Sequence, residues 1–255
     1  MAEPLVNVDV DAGARAGSTA AATRVAGLFA GIHATLDEWR EAVLADGDDL
    51  TATGPDALDE RVAALVLPEL ERDDPLLIGA GFIAASASSE SGPGVDRDLH
   101  FAWWLGPLDD NPVFGATSTP SKLDLGARSY AEYLRDFRSL DWYRIPQSTH
   151  RTHITGPYVD HLCACDYIVT VTSPVERDGR MIGVVGVDVY VKRLERELLP
   201  AMLGDTRPLA LVNASGRVLV STDPAVAVGT VVDVPDDAER CAGTPFRLVP
   251  TARAR

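Results

Sequence analysis

Five side chains able to hold a cation fall within one stretch of the 255-residue chain: Trp142, Tyr143, Tyr158, Asp160 and Asp188. Asp188 ends the apolar run Ile182-Gly183-Val184-Val185-Gly186-Val187 and is followed by Val189. A carboxylate among valines and glycines is costly to bury unless a cation or hydrogen-bond donors meet it. Aromatic faces favour a dehydrated cation further, by roughly 0.5–2 kcal/mol. Two acids and three rings therefore suit a small ammonium compound. The competing reading is internal: Asp188 accepts backbone N–H groups or pairs with Arg144, and Trp142 and Tyr143 are core.

These residues need elements to position them. Residues 1–17 are acidic, small and Gly/Ala-rich and read as a flexible arm. From Ser18, the apolar positions Val25, Leu28, Phe29, Ile32, Leu36, Trp39 and Val43 recur at helical spacing, with Ser18 or Thr19 as N-cap. A shorter helix carries Leu58, Val62 and Leu65 and breaks at Pro68. Strands are expected at residues 76–84 and 99–105, and a short helix at 130–137. Residues 167–172 and 181–190 form an antiparallel hairpin about the turn Pro174 to Gly179. A helix over 192–202 and strands at 209–212, 217–221 and 246–249 complete the chain. On strand 99–105 the neighbours Trp103 and Trp104 point to opposite faces, and Trp104 is assigned to the pocket side. The fold class is α+β, an antiparallel sheet with a long N-terminal helix and a small strand-rich C-terminal module. The expected divisions are an arm at 1–17, a ligand-binding domain at 18–202 and a reduced second module with its tail at 203–255.

In this order and spacing, Leu140-Asp141-Trp142-Tyr143, Gly156-Pro157-Tyr158-Val159-Asp160, Thr170-Val171-Thr172-Ser173-Pro174-Val175 and Gly183-Val184-Val185-Gly186-Val187-Asp188 resemble the Cache sensor domains. Those are PAS-like ligand-binding modules, usually the outer parts of chemoreceptors and histidine kinases. The resemblance implies a non-catalytic sensor in which Trp142, Tyr143, Tyr158, Asp160 and Asp188 line one pocket, the two acids and a Tyr holding the ligand's ammonium. In the amino-acid-binding members, an Arg two residues before the Trp grips the ligand carboxylate. Here that position is Leu140. An amine without an essential acid group is thus the favoured ligand, and an amino acid follows if Arg138 or Arg144 substitutes.

The rival class is a zinc-dependent enzyme built on His150, His153, His161, Cys163 and Cys165, since imidazole and thiolate are good zinc ligands. Its spacing is poor: His-x-x-His lies in an irregular segment and no second close pair exists. Gly79-Ala80-Gly81 after an apolar strand echoes a dinucleotide fingerprint, but no helix opens there. No cofactor is expected. The net charge of −15, without a basic run, argues against a nucleic-acid partner. With no leader and no membrane-spanning run, the expectation is a cytoplasmic protein, read by a separately encoded signalling partner or acting as a homodimer.

Overall fold

The computed structural model describes residues 10–45, 55–85, 99–108, 111, 115–123, 137–160 and 164–251. The helix expected over 130–137 lies mostly outside these residues. Two compact units divide the chain: Gly31–Tyr190, and Met1–Ala30 with Val191–Arg255. The boundary expected at residue 202 therefore falls earlier, because the helix after Tyr190 groups with the C-terminal strands.

Helix α1 covers Val10–Ala45. Residues 10–17, expected in the arm, belong to this helix: alanine is frequent beyond Val10, proline is absent, and helix propagation does not wait for Ser18. In the Gly31–Tyr190 unit, α1 buries Ile32, Leu36, Trp39 and Val43. Helix α2, Pro55–Leu70, buries Leu58, Val62, Val66 and Leu70, an i, i+4 stripe. It runs through Pro68, which was expected to stop it; Pro68 sits in the last turn, where the break costs least.

Six antiparallel strands form the sheet of this unit: β1 Leu77–Ala85, β2 Leu99–Leu105, β3 Ser121–Lys122, β4 His153–Val159, β5 Tyr167–Arg177 and β6 Arg180–Tyr190. Their order is β3-β2-β1-β6-β5-β4. The β5–β6 hairpin turns at Asp178 and Gly179, both at positive φ, as a two-residue type I′ turn requires. Side chains facing one another across neighbouring strands share a face. One face therefore carries Trp104, Ala80, Val187 and Val171, and the other carries Leu105, Gly79, Asp188, Thr170 and Thr155 in one row. On the Trp104 face, backbone approach is tight at Gly183. A Cβ there would come within 2.4 Å of the Ile83 carbonyl oxygen and 2.6 Å of the Phe82 ring. Gly183→Ala is expected to cost about 3 kcal/mol of stability, read as a lowered denaturation midpoint.

The second unit holds a four-stranded antiparallel sheet in the order β8-β7-β10-β9. Its strands are β7 Leu209–Val212, β8 Val218–Ser221, β9 Glu239–Arg240 and β10 Arg247–Pro250. Helix α4, Val191–Met202, packs against β8. Phe29 of α1 meets Phe246 edge to face at 5.1 Å. The loop after β8 supplies Val226, Val232 and Val234, which pack on Ala210, Val212, Val218 and Val249.

Candidate ligand-binding site

Asp188 is 8% exposed and stands in the row just described, between two apolar clusters. On one side lie Trp103, Leu105, Val184, Phe137 and Tyr143, and on the other Ile168, Tyr190 and Tyr158. Thr170, its cross-strand neighbour on β5, donates a 2.6 Å hydrogen bond to Asp188 Oδ1. The Tyr158 hydroxyl lies 2.6 Å from the same Thr170 Oγ1. Because Thr170 spends its one proton on the carboxylate, Tyr158 is the donor of that second bond. The result is a relay, Tyr158 to Thr170 to Asp188, that fixes one carboxylate oxygen.

No basic side chain among the described residues pairs with Asp188. Burial pushes its carboxyl up to about 8, the nearby Asp160 charge adds to this, and the Thr170 bond opposes it. Asp160 is within electrostatic reach of Asp188 and is held by its own loop. Its Oδ2 accepts from the Ala164 N–H at 2.7 Å, and the Ala164 carbonyl accepts from Asn111 Nδ2 and the Tyr190 hydroxyl at 3.2 and 3.3 Å. Thr170→Val, which keeps the shape and removes the hydroxyl, is expected to raise the Asp188 pKa further. NMR titration of the labelled carboxyl checks this.

Helix α3, Asp141–Thr149, brings Trp142 and Tyr143 over the same face. Thr172, two residues from Thr170 on β5, donates to the Trp142 carbonyl at 2.6 Å and ties the helix start to the sheet. The rings stack among themselves: Phe137 lies 4.9 Å from Tyr143 and 6.2 Å from Trp142. Tyr143, at 1% exposure, is a core side chain, whereas Trp142 is only partly buried. The substitutes considered for a carboxylate clamp have contacts of their own. Arg144 pairs with Asp141 at 2.7 Å on its own helix, and the Arg138 guanidinium lies over the Phe137 ring. Leu140, at the position of the family's arginine, is 39% exposed.

Trp104 is a correction, since it faces away from Asp188 and Trp103 takes the place assigned to it. The Trp103 indole lies along the glycines of β1 and β6. Its Nε1 is 2.9 Å and Asp188 Oδ2 is 3.2 Å from where a Gly79 Cβ would stand, and its Cη2 is 3.4 Å from the equivalent point on Gly186. Thr155 ends the row with a buried hydroxyl that has no hydrogen-bond partner. Sequence reasoning missed Thr170, Trp103 and Thr155. The signal that finds them is cross-strand register measured from Asp188.

The proposed metal ligands do not gather: among the described residues no three His, Cys, Asp or Glu side chains form a group that could hold a metal. His150 pairs with Glu176. His153 shares its row with Thr172, and burial lowers its pKa, with Asp141 raising and Arg144 lowering it less. His161 and Cys163 lie outside the described residues.

Residues 100–196 match the family described as methyl-accepting chemotaxis protein-like, first PDC sensor domain. The match makes that stretch similar to sensor domains of the PDC, or Cache, type. A 99-residue segment is 27% identical to the methyl-accepting chemotaxis protein PctB of Pseudomonas aeruginosa, covering 39% of this chain and 16% of that receptor. The ligand-binding domain of the Pseudomonas fluorescens chemoreceptor CtaA, solved with L-valine, superposes with a TM-score of 0.60 at 17% identity, over 97% of this chain and 99% of the other. The corresponding domain of the Pseudomonas aeruginosa amino-acid chemoreceptor PctC, solved with GABA, gives 0.54 at 16%, over 91% and 95%. At these identities the two structures speak for the fold alone.

The expectation of a cytoplasmic protein is overturned. The relatives that the matched family model represents are outward-facing ligand-binding domains of membrane chemoreceptors. The earlier expectation rested on a missing leader and membrane segment. The chain matches only a small part of its curated relative, and such an absence carries no information about compartment. Among the described residues no helix is long and apolar enough to cross a membrane.

Proposed function

We propose that the Gly31–Tyr190 unit binds a small organic ammonium compound and that the protein reports its occupancy to a signalling partner. The observation that carries this reading is Asp188, a buried carboxylate oriented by Thr170 and without a basic partner among the described residues. A ligand ammonium supplies the missing charge, and Asp160 adds a second negative charge within reach. Tyr158 and Trp142 offer ring faces at the edges of the same region. Binding favours the state in which α3 closes on the row, and this population shift is the signal passed on.

An amine is favoured over an amino acid because Leu140 stands where the family's arginine would hold a carboxylate, and Arg144 is engaged by Asp141. The amino-acid reading draws on the relatives, since CtaA was solved with L-valine and PctC with GABA. L-Valine and isobutylamine, its decarboxylated counterpart, separate the two. Isobutylamine is expected to raise the melting temperature more than L-valine at equal concentration. A larger shift with L-valine selects the amino-acid reading, and no response to any amine or amino acid in a broad panel removes both.

A further inference from the structure

Trp103 supplies the site with a polar contact besides its acids. The side chain is 6% exposed, but its Nε1 is not among the enclosed polar atoms left without a partner, so the N–H keeps an opening that water or a ligand oxygen can reach. An indole N–H that gives up its water when a ligand enters needs an acceptor in exchange, because leaving it unpaired forfeits that bond. Asp188 Oδ2 approaches the same point over Gly79. The two atoms are no more than about 6 Å apart, but they are not bonded to each other. A donor and an acceptor thus stand side by side on a floor of glycine backbone. Their complement is a ligand whose own donor and acceptor are neighbours.

We propose that Trp103 Nε1–H binds an acceptor oxygen on the carbon next to the ammonium-bearing carbon, so that this site selects 2-amino alcohols over plain amines. The inference rests on the ammonium reading above and adds what that reading lacks, a determinant at the second ligand atom. A carboxylate oxygen could take the same N–H. A hydroxyl is the better match, because one neutral donor compensates a carboxylate poorly and the Asp188 and Asp160 charges repel it. Gly79 is part of the arrangement, since a Cβ there would stand 2.9 Å from Trp103 Nε1 and press on Asp188 Oδ2 at 3.2 Å.

Calorimetric titration of the full chain with ethylamine, 2-aminoethanol, 3-aminopropanol and glycine tests this. Wild type is expected to bind 2-aminoethanol about 3- to 10-fold more tightly than ethylamine or 3-aminopropanol, the range of one neutral hydrogen bond. In Trp103→Phe, which keeps the ring and removes the N–H, that ratio should fall to about one. A ratio retained in Trp103→Phe overturns the proposal, and so does equal binding of the three amines by wild type, which decides the matter even if the variant does not fold. Tightest binding of glycine, lost in Trp103→Phe, would assign the N–H to a carboxylate instead of a hydroxyl. If Asp188→Asn binds every compound as well as wild type does, the ammonium reading fails and this one with it. If Asp188→Asn abolishes binding but wild type shows no preference, only the assignment to Trp103 fails.

Discussion

Replacing Asp188 with asparagine is expected to abolish binding of ammonium ligands while making the protein more stable near neutral pH. Asparagine keeps the size and can still accept the Thr170 bond, so the relay from Tyr158 survives. What disappears is a buried charge. Truncating one partner of a desolvated, hydrogen-bonded charge pair costs about 2–5 kcal/mol, which is about 30-fold to a few thousandfold in affinity. The stability change has the opposite sign. The Asp188 carboxyl titrates near 8 in the folded protein against 3.8 as its ordinary value, so the folded state holds a proton that the unfolded state has released. The stability due to this proton is complete below about pH 4, declines as pH rises toward 8, and is gone above it. Asparagine carries no such dependence. The melting-temperature difference between Asp188→Asn and wild type should therefore grow between about pH 4 and pH 8 and level off beyond. A difference that is flat over that range, or a variant that binds amines normally, would rule out an unpaired buried acid.

The sequence displays the elements of this site more readily than their faces. Helix α1, the β5–β6 hairpin and α4 follow from hydrophobic period and turn residues alone. The likeness that singled out Tyr158, Asp160 and Asp188 rests on short words in a fixed order, and Tyr158 does reach Asp188, through Thr170. What escapes is parity. Register shifts between Val175 and Glu176 and between Leu77 and Gly79 each displace the pairing by one residue. A one-residue slip moves a strand's side chains to the opposite face. That is why Trp104 looked as suitable as Trp103, and why Thr170 could not be placed opposite Asp188 by counting back from the turn. Strand β4 was hidden for a different reason, since Gly156-Pro157 inside it reads as a break. Pro146 concealed α3 in the same way, and with it the helix that carries Trp142 and Tyr143 across the sheet.

The affinity for amines should rise with pH, which distinguishes this site from a preformed anionic pocket. An ammonium group gains from Asp188 only when the carboxyl is ionised, and burial holds that acid protonated up to about pH 8. Below that pH a proton must leave before the cation enters, so affinity should increase about tenfold for each pH unit between 6 and 8 and flatten above 8. An alkylamine stays charged throughout this window, so the profile belongs to the protein. Binding at pH 6.5 should release close to one proton, seen as a binding enthalpy that depends on the ionisation enthalpy of the buffer. At pH 9 that dependence should vanish. The sign is informative because an already ionised pair of acids would bind amines equally at pH 6 and pH 8, while a site governed by a neutral histidine such as His153 would release no proton on binding. Proton release that persists in Asp188→Asn would transfer the effect to another group and remove Asp188 from the centre of recognition.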